Sequence, residues 1–166
     1  MDIVDALPLP RAYMSPKGDF MLLAEYESMP SIAYMSQPLL RIAGMRITPK
    51  YNSRQQTSFN TGFTIKSIKA GSTKRINLPK GAKFGSPSWS LDGSWIAFPR
   101  YTDKGIELWA ANTKTGKAKA LTGPVINATI NSGFTWLQDS RHLLVYTILE
   151  NRGDPPQAPE VPVGPN

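Results

Sequence analysis

Ser88-Trp89-Ser90-Leu91-Asp92-Gly93-Ser94-Trp95-Ile96-Ala97-Phe98 and Thr135-Trp136-Leu137-Gln138-Asp139-Ser140-Arg141-His142-Leu143-Leu144-Val145 are one unit written twice. Trp89 and Trp136 lie 47 residues apart, and Asp92 and Asp139 keep the same offset. A weaker copy runs from Tyr13 through Ser15-Pro16-Lys17-Gly18-Asp19-Phe20 to Leu23, with Ser15 standing 75 residues before Ser90. That gap is one period plus an insertion of 28 residues. Each copy has the same physical logic. A short strand carries a large apolar or aromatic residue, a tight turn forms on Asp-Gly, Lys-Gly or Asp-Ser, and a more apolar strand follows.

After the middle copy, Ile106-Glu107-Leu108-Trp109-Ala110-Ala111-Asn112 alternates as a strand should. The turn Lys114-Thr115-Gly116-Lys117 then leads into Ala118-Lys119-Ala120-Leu121-Thr122. Residues 87–122 therefore predict four consecutive antiparallel strands, the size of one propeller blade. The expected fold is all-β: antiparallel propeller blades, about two and a half of them, with the first enlarged. The expected bounds are 1–84 for the enlarged blade, 85–130 for the second and 131–153 for the start of a third. Residues 154–166, with five prolines between 154 and 165, read as an extended connector that cannot pair as a central strand. Within the insertion, 31–35, 39–47, 59–68 and 74–78 read as strands, and 49–58 as a polar, basic loop. Propellers close with four or more blades, so this chain is expected to leave a strand edge open.

Fifteen Pro and 13 Gly in 166 residues suit many short strands. There is no Cys, hence no disulfide framework and no thiol nucleophile or ligand. No run of 18 apolar residues predicts a membrane span. The start, Met1-Asp2-Ile3-Val4-Asp5, lacks the features of a signal peptide, which reads as a cytoplasmic chain or one whose leader is missing. No Gly-x-Ser-x-Gly elbow occurs, and the single histidine, His142, occupies the repeat position of Trp95, where a packing strand residue is expected. With no Cys, one His and no acidic cluster, no metal or cofactor is expected; Asp92 and Asp139 are turn residues. Asn127-Ala128-Thr129 is a formal glycosylation sequon.

Net charge is +7, and its distribution is uneven. Residues 28–91 contain no Asp or Glu but ten basic residues: Arg41, Arg46, Lys50, Arg54, Lys66, Lys69, Lys74, Arg75, Lys80 and Lys83. Such a region carries positive potential and suits an acidic partner. Arg46, Lys50 and Arg54 are the candidate substrate-binding residues, since Arg captures carboxylates in two-point contact. The bland alternative is a set of solvated cations. Nucleic acid is not expected as a partner, because the tryptophans fall at blade positions and no nucleic-acid motif is present.

The repeat with Ser90-Leu91-Asp92-Gly93-Ser94-Trp95, Glu107-Leu108-Trp109 and Thr115-Gly116 resembles that of TolB-type propellers. Ile3-Val4-Asp5-Ala6, Leu9-Pro10, Gln37-Pro38-Leu39-Leu40-Arg41-Ile42-Ala43-Gly44-Met45-Arg46-Ile47, Asn52-Ser53-Arg54, Thr61-Gly62 and Arg152-Gly153-Asp154-Pro155-Pro156 make a longer pattern. In that order they resemble the N-terminal propeller region of glutamyl-endopeptidase-like serine peptidases of the prolyl oligopeptidase family. The resemblance implies a propeller capping an α/β-hydrolase domain that carries the Ser-Asp-His triad, with no catalytic residue in this chain. It implies as partners the remaining blades and that hydrolase domain within one polypeptide, together with peptide substrates. It also implies gated access to that domain and a preference for acidic substrates. Relatives of this kind favour a periplasmic or secreted setting. The alternative is a non-enzymatic TolB-like scaffold in the cell envelope.

Overall fold

The computed structural model describes residues 8–153. The Ile3–Ala6 end of the resemblance and the proline-rich connector lie outside the described residues. The first blade is built from β1 (Arg11–Met14), β2 (Phe20–Tyr26) and, after the insertion, β6 (Asn60–Ser67) and β7 (Thr73–Arg75). Between β2 and β6 lie α1 (Ile32–Met35), β3 (Leu40–Ile42), β4 (Met45–Thr48), a 3-10 turn (Pro49–Tyr51) and β5 (Ser53–Arg54). The second blade follows: β8 (Lys83–Phe84) and β9 (Ser88–Trp89), then β10 (Trp95–Thr102), β11 (Gly105–Asn112) and β12 (Ala118–Ala120). A half blade of β13 (Phe134–Trp136) and β14 (Leu143–Val145) ends the described chain. Among the described residues all strand pairs within the sheets are antiparallel, and none of the three sheets closes on itself. The architecture is that of a partial propeller.

The repeated turn is a defined physical object. Ser90 N donates to the Trp95 carbonyl at 2.9 Å while Ser90 Oγ accepts from Trp95 N at 3.0 Å. Ser15 and Phe20 repeat both bonds at 2.9 and 3.0 Å, and Leu137 N donates to the His142 carbonyl. Gly18, Gly93 and Ser140 hold the same place in this turn with φ of 72°, 74° and 59°, the left-handed region that favours glycine. Ser140 gives up glycine there, and its Oγ accepts from Asp92 N in the neighbouring blade at 3.0 Å.

Strand alternation then sorts the side chains into two cores. On β10, Ile96 and Phe98 face the first blade, joining Leu22, Phe63, Ile65 and Phe84; the rings of Phe63 and Phe98 are 4.9 Å apart. Ala97 and Tyr101 face the other way, joining Ile106, Leu108, Ile126 and Phe134. Blade two is thus buried on both faces, as in successive blades stacked face to face. Pro99 is tolerated inside β10 because its strand neighbour is interrupted there. Gly85 N donates to the Pro99 carbonyl, so the missing Pro99 N–H points at the break between β8 and β9.

Several sequence expectations need correction. Residues 31–35 form a turn of helix, because Ser31 caps it by accepting from Tyr34 N and so places the Tyr34 ring in the second core. Residues 39–47 are a hairpin and not one strand: Ala43 and Gly44, with φ of 47° and 78°, reverse the chain so that Arg41 pairs with Arg46. The loop expected over 49–58 contains β5 and the buried Tyr51 and Ser53. His142 precedes β14 and is exposed, its ring beside the Asp139 carboxylate, because among the described residues no further strand lies against β14.

Candidate functional site

The insertion folds onto the second core. Tyr34 and Tyr51 come to rest beside Phe59 and Tyr101, with Tyr34 edge-on to Phe59 at 5.1 Å and Tyr51 edge-on to Tyr101 at 5.3 Å. Burial raises the pKa of both Tyr34 and Tyr101, so their hydroxyls stay neutral. Further along, β5 runs parallel to the segment after Ile126, with Ser53 bridged to Ala128; Ala128 N donates to the Asn52 carbonyl at 2.8 Å. The sequon lies here. Asn127 Oδ1 accepts from Thr129 N and Oγ1, so the amide is engaged in its own turn.

The ten cations of the acid-free stretch separate into distinct situations. Arg75 makes a two-point pair with Glu25 at 2.7 and 2.9 Å, and Lys83 meets Glu27 at 3.5 Å; both acids lie just before the stretch. Lys50 Nζ donates to Asp103 at 2.8 Å, which raises the lysine pKa and lowers that of the aspartate. Arg54 donates to the backbone carbonyls of Thr129 and Ile130. Arg46 stands beside Arg41 on the exposed hairpin.

The three sequence-chosen residues are therefore not convergent. Arg46 and Arg54 belong to adjacent rows of the small sheet, since Arg54 pairs with Ile47 and Arg41 with Arg46, which puts the two on opposite faces. Lys50 alone lines a cleft of about 430 Å³ between the insertion and the second blade. Lys80, Lys83 and Arg100 share that cleft with it, as do Tyr34, Tyr51 and Asp103. Sequence reasoning included Lys80 and Lys83 in the basic stretch without singling them out, and passed over Arg100. A usable signal was the Lys80-Gly81-Ala82-Lys83 turn, which sets two lysines either side of a glycine at φ 68°. A larger depression of about 510 Å³ along β6 and β7 shares Lys80 and Gly81 with this cleft and has Arg75, paired with Glu25, in its wall.

No protein-family model matches the chain. It is 36% identical, over 99% of its length, to proteins of Arabidopsis thaliana and of Oryza sativa subsp. japonica, each named "Probable glutamyl endopeptidase, chloroplastic". The chain spans 18% and 19% of the length of these curated relatives. Among solved structures it resembles the acylaminoacyl peptidase of Pyrococcus horikoshii, at 22% identity and a TM-score of 0.49 over 84% of this chain and 17% of that one. It also resembles the β-propeller domain of the Trilobed protease from Pyrococcus furiosus, at 18% identity and a TM-score of 0.46 over 86% of this chain and 36% of that one.

Proposed function

From the premise that this chain is homologous, along its whole length, to a segment of the probable glutamyl endopeptidases, we propose that it is the non-catalytic propeller portion of a serine peptidase. The observation that carries this reading is the 36% identity maintained over 99% of the chain. It favours a peptidase over a non-enzymatic scaffold. The partners are the remaining blades and an α/β-hydrolase domain of the same polypeptide, with blade bounds at 1–84, 85–130 and 131–153. The blades limit access to the hydrolase domain, and the acid-free stretch favours acidic peptides. Arg46 and Lys50 contribute long-range attraction, and Arg54 holds the insertion against the segment beneath it.

The test uses the intact polypeptide that carries this chain. It should cleave peptides after Glu faster than after Gln and be inactivated by a serine-directed phosphonate. Arg46→Ala with Lys50→Ala should reduce the Glu-over-Gln ratio in kcat/KM. Residues 1–166 expressed alone should hydrolyse nothing. Resistance to the phosphonate would overturn the peptidase reading, and an unchanged ratio would remove Arg46 and Lys50 from specificity.

A further inference from the structure

The cleft between the insertion and the second blade collects positive charge that its own neighbours leave unmatched. Four cations, Lys50, Lys80, Lys83 and Arg100, line it against one carboxylate, Asp103. Glu27 and Glu107 offset Lys83 and Arg100 from outside the lining. Among the described residues Lys80 has neither an acid nor a carbonyl partner. An aromatic cluster brings the other two lysines together. Lys50 Nζ stands 5.4 Å from the centre of the Tyr51 ring and Lys83 Nζ 5.2 Å from that of Phe59. Both rings meet Tyr101 edge-on, at 5.3 and 5.0 Å.

Asp103 is a removable part of this arrangement. Its side chain is 98% exposed on the turn between β10 and β11, and it pairs with Lys50 at 2.8 Å. An exposed ion pair of this kind contributes little, so a competing anion displaces it at small cost. With Asp103 released, the four cations stand against Glu27 and Glu107, a surplus of two positive charges. One carboxylate matches half of that surplus. A phosphoryl group carries about −1.5 to −2 near neutral pH and three strong acceptor oxygens, so it matches the surplus and offers one oxygen to each lysine. The cleft has a second polar requirement. Gln37 and Lys50 also line an adjoining cavity of about 270 Å³, together with Thr48. Gln37 Oε1 and Thr48 Oγ1 are both buried without a hydrogen-bond partner; the Thr48 hydroxyl lies near Tyr34 without a bond of normal geometry. Orphaned buried polar atoms are costly, and a native protein keeps them where something completes them. An amide oxygen accepts only, so a hydroxyl on the ligand completes Gln37.

We infer that this cleft binds a small hydroxylated phosphomonoester, with the phosphoryl oxygens held by Lys50, Lys80 and Lys83, the charge of Arg100 acting at longer range, and a hydroxyl of the ligand donating to Gln37 Oε1. At about 430 Å³ the cleft has room for a sugar phosphate and more than inorganic phosphate needs. Lys50 belongs to the insertion, while Lys80 and Lys83 lie on the way into the second blade and Arg100 on its β10 strand. The bound ligand therefore clamps the insertion to the blade, in place of the Lys50–Asp103 pair. Nothing in this site draws on the peptidase reading, and its failure would leave that reading intact.

The test is calorimetric titration of the intact polypeptide with ribose 5-phosphate, inorganic phosphate and N-acetyl-glutamate amide at one low ionic strength. Ribose 5-phosphate should bind about tenfold more tightly than either of the others. Lys80→Met and Lys83→Met should each weaken it about tenfold, the scale of one charge-assisted hydrogen bond. Gln37→Leu should erase its advantage over inorganic phosphate. Asp103→Asn should tighten it about threefold, a gain that damage to the fold cannot produce. Arg75→Met, in the neighbouring depression that shares Lys80, should leave it unchanged. Equal affinity for ribose 5-phosphate and inorganic phosphate, tighter binding of the glutamate compound, or no gain in Asp103→Asn overturns the assignment. So does weakening by Arg75→Met without weakening by Lys83→Met, which moves the anion to the depression.

Discussion

The first and second blades use the same strand plan and differ at one connection. In the second, β10 and β11 are joined by Asp103-Lys104 alone, and eight residue pairs run in unbroken register from Trp95↔Asn112 to Thr102↔Gly105. In the first, β2 and β6 keep the equivalent pairing from Phe20↔Ser67 but slip by one residue between Glu25 and Tyr26, and the whole insertion enters there. Phe20 lies 75 residues before Trp95 and Ser67 lies 45 before Asn112, so the structure places 30 extra residues at this point, close to the 28 read from the repeat. A blade needs only that its two central strands remain paired and its inward side chains remain large. The end of the hairpin lies beyond the paired, inward-facing side chains, which is where added sequence is tolerated and where sites collect.

The comparison can be broken most forcefully at the shared core. Phe98 is fully buried between the blades against Phe63 and Phe84, and Phe98→Ala should cost about 3–5 kcal/mol in urea unfolding. If the two blades were independent units, the loss would be confined to one transition; a single shifted transition is expected.

The tight connection of the second blade comes next. Gly105 has φ of 135°, and a Cβ there would lie 2.7 Å from the Pro124 carbonyl oxygen. Gly105→Ala should cost about 1–3 kcal/mol by thermal denaturation, because backbone strain and a backbone clash act together.

Smaller effects sharpen the comparison between turns. Gly93→Ala should cost about 1 kcal/mol or slightly more through the left-handed backbone. Ser140→Ala keeps the strain and loses the bond from Asp92 N, for about 1 kcal/mol. Ser140→Gly loses the same bond but relieves the backbone, and should be close to neutral.

The smallest effect is electrostatic. Hydrogen bonds from Ser90 Oγ and from Ser94 N and Oγ lower the Asp92 pKa from 3.8 to about 2. A depressed folded pKa contributes stability above the unfolded value that is lost as pH falls from about 4 through about 2. Asp92→Asn retains an acceptor oxygen and should flatten that acid limb slightly in denaturation curves taken from pH 5 to 2. Solvent exposure keeps the effect small.

The blades were legible because period-2 alternation and turn chemistry are local. The Ser15 and Ser90 turns fold as their sequences dictate, and β10 to β12 fall within the expected residues. The insertion was legible only as an insertion. Residues 31–35 carry Ile, Tyr and Met, which suit a strand; a serine cap and a buried position for Tyr34 decide for helix. Likewise Ala43 gave no sign of reversing the chain at φ 47°. Charge was legible in total and not in arrangement. Ten cations were countable, but that Lys50 meets Asp103, 53 residues on, and that Arg54 spends itself on carbonyls 75 and 76 residues away, depends on packing between blades.

The sequence by itself determined the repeated turn, the strand order within a blade, the enlarged first connection and the one-sign stretch, because each rests on residues close along the chain. Tertiary structure alone decided which cations converge. Lys50, Lys80, Lys83 and Arg100 share a cleft because the aromatic face of the insertion is buried against the second blade. Arg46 does not, because the hairpin carrying it leaves that contact and points to solvent.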